Sequence, residues 1–114
     1  MIFSGLFSKR AASGDAEISY GDLAEALRRG ACFVVDIREP KEYASGHVPG
    51  AINQPLSRFD PKQLPAGKPV VLLCQAGGRS AKALGQARSA GLDDVRHYAG
   101  GTTGWRREGG AVES

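Results

Sequence analysis

The chain is poor in the residues that most readily declare a function. Its 114 residues include two cysteines, Cys32 and Cys74, and two histidines, His47 and His97. Two cysteines make no disulfide framework, and set this far apart along the chain the four residues offer no metal-ligand spacing. No apolar run approaches the about 18 residues that a membrane span needs, so no stable membrane association is expected. An excess of charge is also lacking. Fifteen Lys and Arg against twelve Asp and Glu leave a net charge of +3, too small and too scattered for a nucleic-acid surface and mildly favourable to small anionic substrates. Met1 to Arg10 carries Ile2, Phe3, Leu6 and Phe7 but lacks the longer apolar core and leading charge of a signal peptide. It reads as a disordered lead-in, with a weak surface anchor as the alternative. The expected location is the cytoplasm, where thiols stay reduced.

What is present suffices for one folded domain with one core: 41% of the residues are hydrophobic and 24% charged. Residues 1–17 read as a flexible tail and 18–114 as a single domain. Ser19 and Asp22 form an acidic variant of the capping box, with Ile18 stapling to Leu23. Leu23, Ala26 and Leu27 share a helix face that Gly30 ends. Cys32 to Ile37 reads as a buried strand. Pro40 opens one helical turn that Gly46 closes, and Ala51-Ile52-Asn53 is a brief second strand. Residues 54–69 hold four prolines, which predicts a loop or short turns. Val70 to Leu73 is a third strand, Ala81 to Ala90 a helix ended by Gly91, and Val95 to Tyr98 a last strand. Gly100 to Gly104 reads as a loop, with Trp105 opening a short final segment. Continuous apolar strands alternating with helices suit a parallel sheet covered on both faces, and the crevice of such a sheet lies beyond the carboxyl ends of its strands.

Cys74 sits at such an end. It closes Val70-Val71-Leu72-Leu73 and is followed by Gln75-Ala76-Gly77-Gly78-Arg79-Ser80 and then by the predicted helix. Amides of a glycine-bearing turn can converge on one anionic centre, and the helix dipole adds partial positive charge. Both favour thiolate over thiol and make Cys74 the candidate nucleophile. The amides of Gln75, Ala76, Gly77, Gly78, Arg79 and Ser80 are the candidate binding groups. Gly77 and Gly78 permit close approach and positive φ, Arg79 adds charge, and Ser80 is expected to cap the helix. The competing reading of Cys74 is a buried, inert thiol.

Two further stretches accompany this loop: Asp36 to Asn53, with Arg38, Glu42, Tyr43 and the Gly46-His47 turn, and Tyr98-Ala99-Gly100-Gly101 with Gly104-Trp105. With the Cys74 loop they resemble the rhodanese family of single-domain sulfurtransferases, over about Ile18 to Trp105. Thr102-Thr103 departs from the pattern, since the family more often has an apolar residue after the paired glycines. The resemblance implies an α/β, three-layer fold with a central parallel sheet of about four or five strands flanked by helices. It also implies an enzyme, without cofactor or metal, that moves a sulfane sulfur from a donor such as thiosulfate through a Cys74 persulfide. Cyanide, a small thiol or a protein thiol is then the acceptor. One alternative is a non-turnover module that carries or senses sulfur for a partner protein. Another is an arsenate or phosphate-ester enzyme using Cys74. Against the latter stand the four residues between Cys74 and Arg79, one fewer than in the related cysteine phosphatases.

The remaining polar residues are expected to be structural. Asp36 and Arg38 read as an ion pair tying a strand end to the Gly46-His47 turn, with catalysis as the competing role. Glu42 is a candidate for the pocket mouth. His47 is expected to make a structural hydrogen bond rather than act as a base. His97 has no partner by spacing. Cys32 and Trp105 read as packing residues and Arg106-Arg107 as a solvated pair.

Overall fold

The computed structural model describes residues 15–114. The readings of Met1 to Arg10, and of the expected tail up to residue 14, fall outside the described residues. The last three tail residues run beside the sheet. The His97 amide donates to Ala16 O at 2.9 Å, Ile18 N–H donates to His97 O at 3.1 Å, and Glu17 pairs with His97 as a parallel bridge.

Helix α1, Tyr20–Arg28, starts where the Ser19 side chain accepts from Asp22 N–H at 3.1 Å. Strands β1 (Phe33–Asp36), β2 (Ile52–Asn53), β3 (Val70–Leu73) and β4 (Val95–His97) form one parallel sheet in the order β2-β1-β3-β4. Helix α2, Pro40–Ala44, has proline in its first turn and a reciprocal capping box between Glu39 and Glu42. The proline-rich stretch holds two single 3-10 turns, Leu56–Arg58 and Pro61–Gln63. Helices α3, Gly78–Ser89, and α4, Gly101–Arg107, complete the chain.

Strand side chains alternate between faces, and this alternation sorts the core into two halves. Val34, Val71 and Leu73 pack on one side with Leu23 and Ala26 of α1 and Trp105 of α4. Val35, Val70, Leu72 and Val95 pack on the other with Ala83, Leu84 and Ala87 of α3. The result is a three-layer α/β fold with four parallel strands. Leu23 is fully buried, and Leu23→Ala would leave a cavity costing about 2–5 kcal/mol. Among the described residues no helix is long and apolar enough to cross a membrane.

Two helix boundaries differ from the sequence expectation. Helix α3 begins at Gly78, three residues before Ala81, so Gly78, Arg79 and Ser80 form its first turn. Residues 101–104, expected as loop, are the first turn of α4. Glycine and threonine are weak helix formers, but tertiary contacts outweigh that preference here. Thr102 and Thr103 N–H donate to Cys74 O and Gln75 O at 2.8 and 3.1 Å. Trp105 is buried, its ring 5.1 Å from that of Tyr20, and its Nε1–H donates to Ala111 O at 2.7 Å.

Candidate active site

Cys74 directly follows β3 and continues its alternation, so its side chain joins the α3 half of the core with Val70 and Leu72. Gly77 then takes φ +101 as the residue capping α3. A Cβ at Gly77 would collide with Ala99 O, so glycine is required there on steric as well as conformational grounds. This bend turns amides inward. Gly77 N–H and Ser80 N–H donate to Cys74 Sγ at 3.1 and 3.3 Å, and the Ser80 hydroxyl lies 3.7 Å from it.

Helix α4 fixes the other side of the loop. Its free N-terminal amides hold the carbonyls of Cys74 and Gln75. A trans peptide points its N–H opposite to its carbonyl, so holding Gln75 O on α4 turns the Ala76 amide back toward the sulfur. Gly101 permits this docking: its φ is +64, and a Cβ there would overlap Gln75 O and Cys74 O. Gly101 is therefore part of the cradle, although far from Cys74 in sequence, whereas a Cβ at Gly100 would meet the Tyr98 ring.

Burial pushes the Cys74 thiol pKa up. The Ser80 amide and hydroxyl and the Gly77 and Ala76 amides together outweigh that burial and bring the pKa below its ordinary value. Arg79 is not among the largest of these causes, although its charge and that of the Cys74 thiolate favour one another. Its guanidinium donates to both carboxylate oxygens of Glu42, at 2.8 and 3.0 Å. Cys32 is the contrast: its burial is uncompensated by amides, and its pKa is raised to about 11.

Of the six expected binding residues, the amides of Ala76, Gly77 and Ser80 act on the sulfur. Gly78 has no positive φ, because it is already helical. Ser80 does not cap α3: Gly77 holds the cap position, without a side-chain hydrogen bond. Ser80 instead sits in the first turn, fully buried. Gln75 is exposed and lines a cavity of about 320 Å³ with Arg38, Glu42, Thr102, Thr103 and Arg106. Cys74, 1% exposed, does not itself line this mouth; its carbonyl accepts from the amide of Thr102, which does. A larger hollow, about 660 Å³, lies at the opposite, amino ends of β3 and β4.

Asp36 and Arg38 form the expected architectural pair. Arg38 Nη2 donates to Asp36 Oδ2 at 2.7 Å and to Gly46 O at 2.8 Å, and Asn53 Nδ2 donates to Asp36 O and Arg38 O. His47 stacks on Tyr43 with ring centroids 3.7 Å apart, its Nδ1 2.9 Å from Tyr43 O. Glu42 stands at the mouth as a partner of Arg79. His97, without a partner by spacing, has one in space: its Nδ1 is 2.8 Å from Ser80 Oγ. The signal for it lay in two periodicities. Val95 and His97 share a strand face, and Ser80, Ala83, Leu84 and Ala87 have i, i+3, i+4, i+7 spacing. Among the described residues no cluster of three His, Cys, Asp or Glu could hold a metal ion.

Residues 19–108 match the family model of the rhodanese-like domain. An uncharacterized protein of Synechocystis is 43% identical over 89 residues, 76% of this chain and 50% of that protein. The chain thus spans half the length of that relative. The human thiosulfate:glutathione sulfurtransferase is 32% identical over 109 residues, covering 82% of this chain and 95% of the human one. A solved structure from Rhodopseudomonas palustris, of unknown function and named a possible tyrosine phosphatase, superposes with a TM-score of 0.77 at 32% identity. It covers 92% of this chain and 89% of its own.

Proposed function

The chain belongs to the rhodanese-like domain family, and from that premise we propose that it is a sulfurtransferase working by a ping-pong route through Cys74. The observation that carries this reading is the convergence of the Gly77 and Ser80 amides and the Ser80 hydroxyl on one sulfur. The Cys74 thiolate attacks the outer sulfur of thiosulfate. A sulfur–sulfur bond forms to Sγ, the bond within the donor breaks, and its electron pair leaves on sulfite. The acceptor then attacks the outer sulfur of the persulfide, and the electron pair of the Sγ–S bond returns to Sγ. Neither step needs a strong base, in keeping with the structural contacts of His47. The loop amides hold the sulfur anion, and no cofactor is required.

Thiosulfate is the proposed donor, and the name of the human relative supports it. Cyanide, a small thiol or a protein thiol is the acceptor. A cytoplasmic setting belongs to the same proposal, because it keeps Cys74 reduced. The phosphate-ester alternative gains a point from the name of the Rhodopseudomonas relative. It loses more to the cradle itself, whose amides close onto Sγ across a loop of four residues between Cys74 and Arg79.

Mass spectrometry of Cys74 after incubation with thiosulfate tests the reading. The expected product is heavier by one sulfur, is removed by cyanide and is absent in Cys74→Ser. Failure of Cys74 to gain sulfur from any of a panel of sulfane donors overturns it.

A further inference from the structure

The core holds a chain of polar groups that the sulfur-transfer steps above leave idle. Cys74, Ser80 and His97 are 1%, 0% and 6% exposed. Strand alternation carries Cys74 and His97 to the α3 side of the sheet, and Ser80 lies on the buried face of α3 between them. Ser80 Oγ is 2.8 Å from His97 Nδ1, 3.3 Å from Gly77 O and 3.7 Å from Cys74 Sγ.

The hydroxyl has one proton for three neighbours. Gly77 O also accepts from Ala81 N–H at 3.0 Å and keeps a second lone pair for the hydroxyl at 3.3 Å. It is a neutral and longer competitor, so the imidazole and an anionic sulfur are the partners that decide where the proton points. If Nδ1 is bare, it takes the proton, because it is the closest acceptor. If Nδ1 carries hydrogen, it donates to Oγ, and the hydroxyl proton is free for the sulfur. The two tautomers of a neutral imidazole therefore give the sulfur different surroundings.

We propose that His97 is a positioning residue for Cys74, whose Nδ1–H tautomer turns the Ser80 hydroxyl onto Sγ and steadies the sulfur whenever it is anionic. The proposal rests on the reading of Cys74 as a sulfur-transferring thiolate. In that route Sγ bears the full charge twice: before it attacks the donor, and when the acceptor takes the outer sulfur and the Sγ–S electron pair returns. In the persulfide the charge sits on the outer sulfur and Sγ is neutral. The hydroxyl proton stays on Oγ throughout; only the direction of its hydrogen bond changes. Burial also lowers the His97 pKa, against a smaller opposing influence from Glu17, which keeps the ring neutral. The charged groups around the chain are Glu17 beside β4, Arg96 next to His97 with its partner Asp15, Arg79 with Glu42 on α3 and α2, and Asp36 with Arg38 at the end of β1.

The rate of Cys74 alkylation against pH reads the effect without calling on any sulfur donor. The wild-type midpoint is expected below the about 8.5 of a free thiol. Ser80→Ala and His97→Leu should each raise it by about one unit, the size of one hydrogen bond to a charged group. In His97→Asn the side-chain amide can replace Nδ1–H, and the midpoint should return toward that of the wild type. The double variant Ser80→Ala/His97→Leu should shift no further than Ser80→Ala, because His97 acts through Ser80. An unshifted midpoint in His97→Leu, or additive shifts in the double variant, overturns the proposal. Should His97→Leu not fold, nitrogen NMR of the wild type decides: above the Cys74 midpoint Nδ1 should be protonated, and a proton on Nε2 alone refutes the assignment. Shifted midpoints in a protein whose Cys74 gains no sulfur would uphold His97 while removing the sulfurtransferase reading.

Discussion

Arg79 and Glu42 meet through two parallel hydrogen bonds, 2.8 and 3.0 Å long, that join the first turn of α3 to α2. The sequence suggested Arg79 as a charge for the sulfur. In the fold its guanidinium is paired with the Glu42 carboxylate, and its charge adds only a lesser attraction to the thiolate. The loop amides and the Ser80 hydroxyl are the main groups that lower the Cys74 pKa.

Arg79 is therefore expected to govern donor binding rather than bond making. Both partners are about one third exposed, so the effects should be those of a screened pair, about two- to fivefold. Arg79→Ala should raise KM for thiosulfate by that factor with a smaller fall in kcat. Glu42→Gln, which removes negative charge from the mouth, should lower KM. Steady-state kinetics check this; a large fall in kcat at unchanged KM would give Arg79 a transition-state role.

The same pair makes part of the stability depend on pH. The Arg79 hydrogen bonds, reinforced by the Glu39 amide and opposed by burial, hold the Glu42 carboxyl at about 2 instead of 4.5. A depressed carboxylate contributes stability that is complete above the unfolded-state value and is lost as pH falls through the folded one. Wild type should thus exceed Glu42→Gln in stability at pH 7, by at most about 1 kcal/mol given the exposure. The difference should shrink below pH 4.5 and vanish near pH 2. Urea unfolding across this range measures it, and a difference that widens on acidification contradicts the assignment.

The two cysteines should behave oppositely. Cys32 is packed among Leu23, Val34 and neighbouring apolar residues with its thiol at about 11, whereas Cys74 has its amide cradle. Cys74→Ser should abolish thiosulfate:cyanide activity with the fold intact, and Cys32→Ser should retain most of it. Circular dichroism and the sulfurtransferase assay check the pair. Comparable activity in Cys74→Ser and wild type sinks the mechanism.

Gly101 tests the dependence of the cradle on α4. Gly101→Ala adds a Cβ at φ +64 against Gln75 O and Cys74 O. Gly91→Ala adds one at φ +89 with nothing within 4 Å and serves as the control. Gly91→Ala should lose about 1–2 kcal/mol, the cost of a left-handed conformation with a side chain. Gly101→Ala should lose more and should also slow sulfur transfer, because displaced Gln75 turns the Ala76 amide off the sulfur. Equal stability and activity in the two variants would show that α4 does not hold the loop.

Elements with a local cause were legible in the sequence. Ser19 caps α1, Pro40 starts α2, and the apolar run before Cys74 is β3, each for reasons contained within a few residues. The boundaries that escaped have causes distant in the chain. Gly77-Gly78 reads as a turn, yet Gly78 is helical, and the Ser80 amide in the first turn of α3 is satisfied by Cys74 Sγ rather than by a capping side chain. Gly101 to Gly104 reads as loop, yet its amides find partners on Cys74 and Gln75. The strand end and glycine-bearing turn around Cys74 were legible locally, but the Ser80–His97 contact requires α3 and β4 to be packed before it exists.

Loop size is expected to decide between sulfur and phosphate. Four residues separate Cys74 from Arg79, and the amides of Gly77, within that span, and of Ser80, just past it, already lie 3.1 and 3.3 Å from Sγ. A cradle so closed suits one added sulfur. A tetrahedral oxyanion needs amides further from Sγ and a clear in-line approach, and misplacement by about 1 Å can cost on the order of a hundredfold. The native protein should therefore transfer sulfur and show negligible hydrolysis of aryl phosphates. Inserting one glycine between Gly77 and Gly78 relaxes the bend where the loop passes Ala99 O. It should weaken sulfur transfer by moving the Ser80 amide off Sγ, and it should improve the binding of phosphate. Both activities are to be measured in native and inserted proteins, with Cys74→Ser as the blank. Efficient aryl phosphate hydrolysis by the native chain through Cys74, with no persulfide formed, would overturn the assignment of loop size to sulfur.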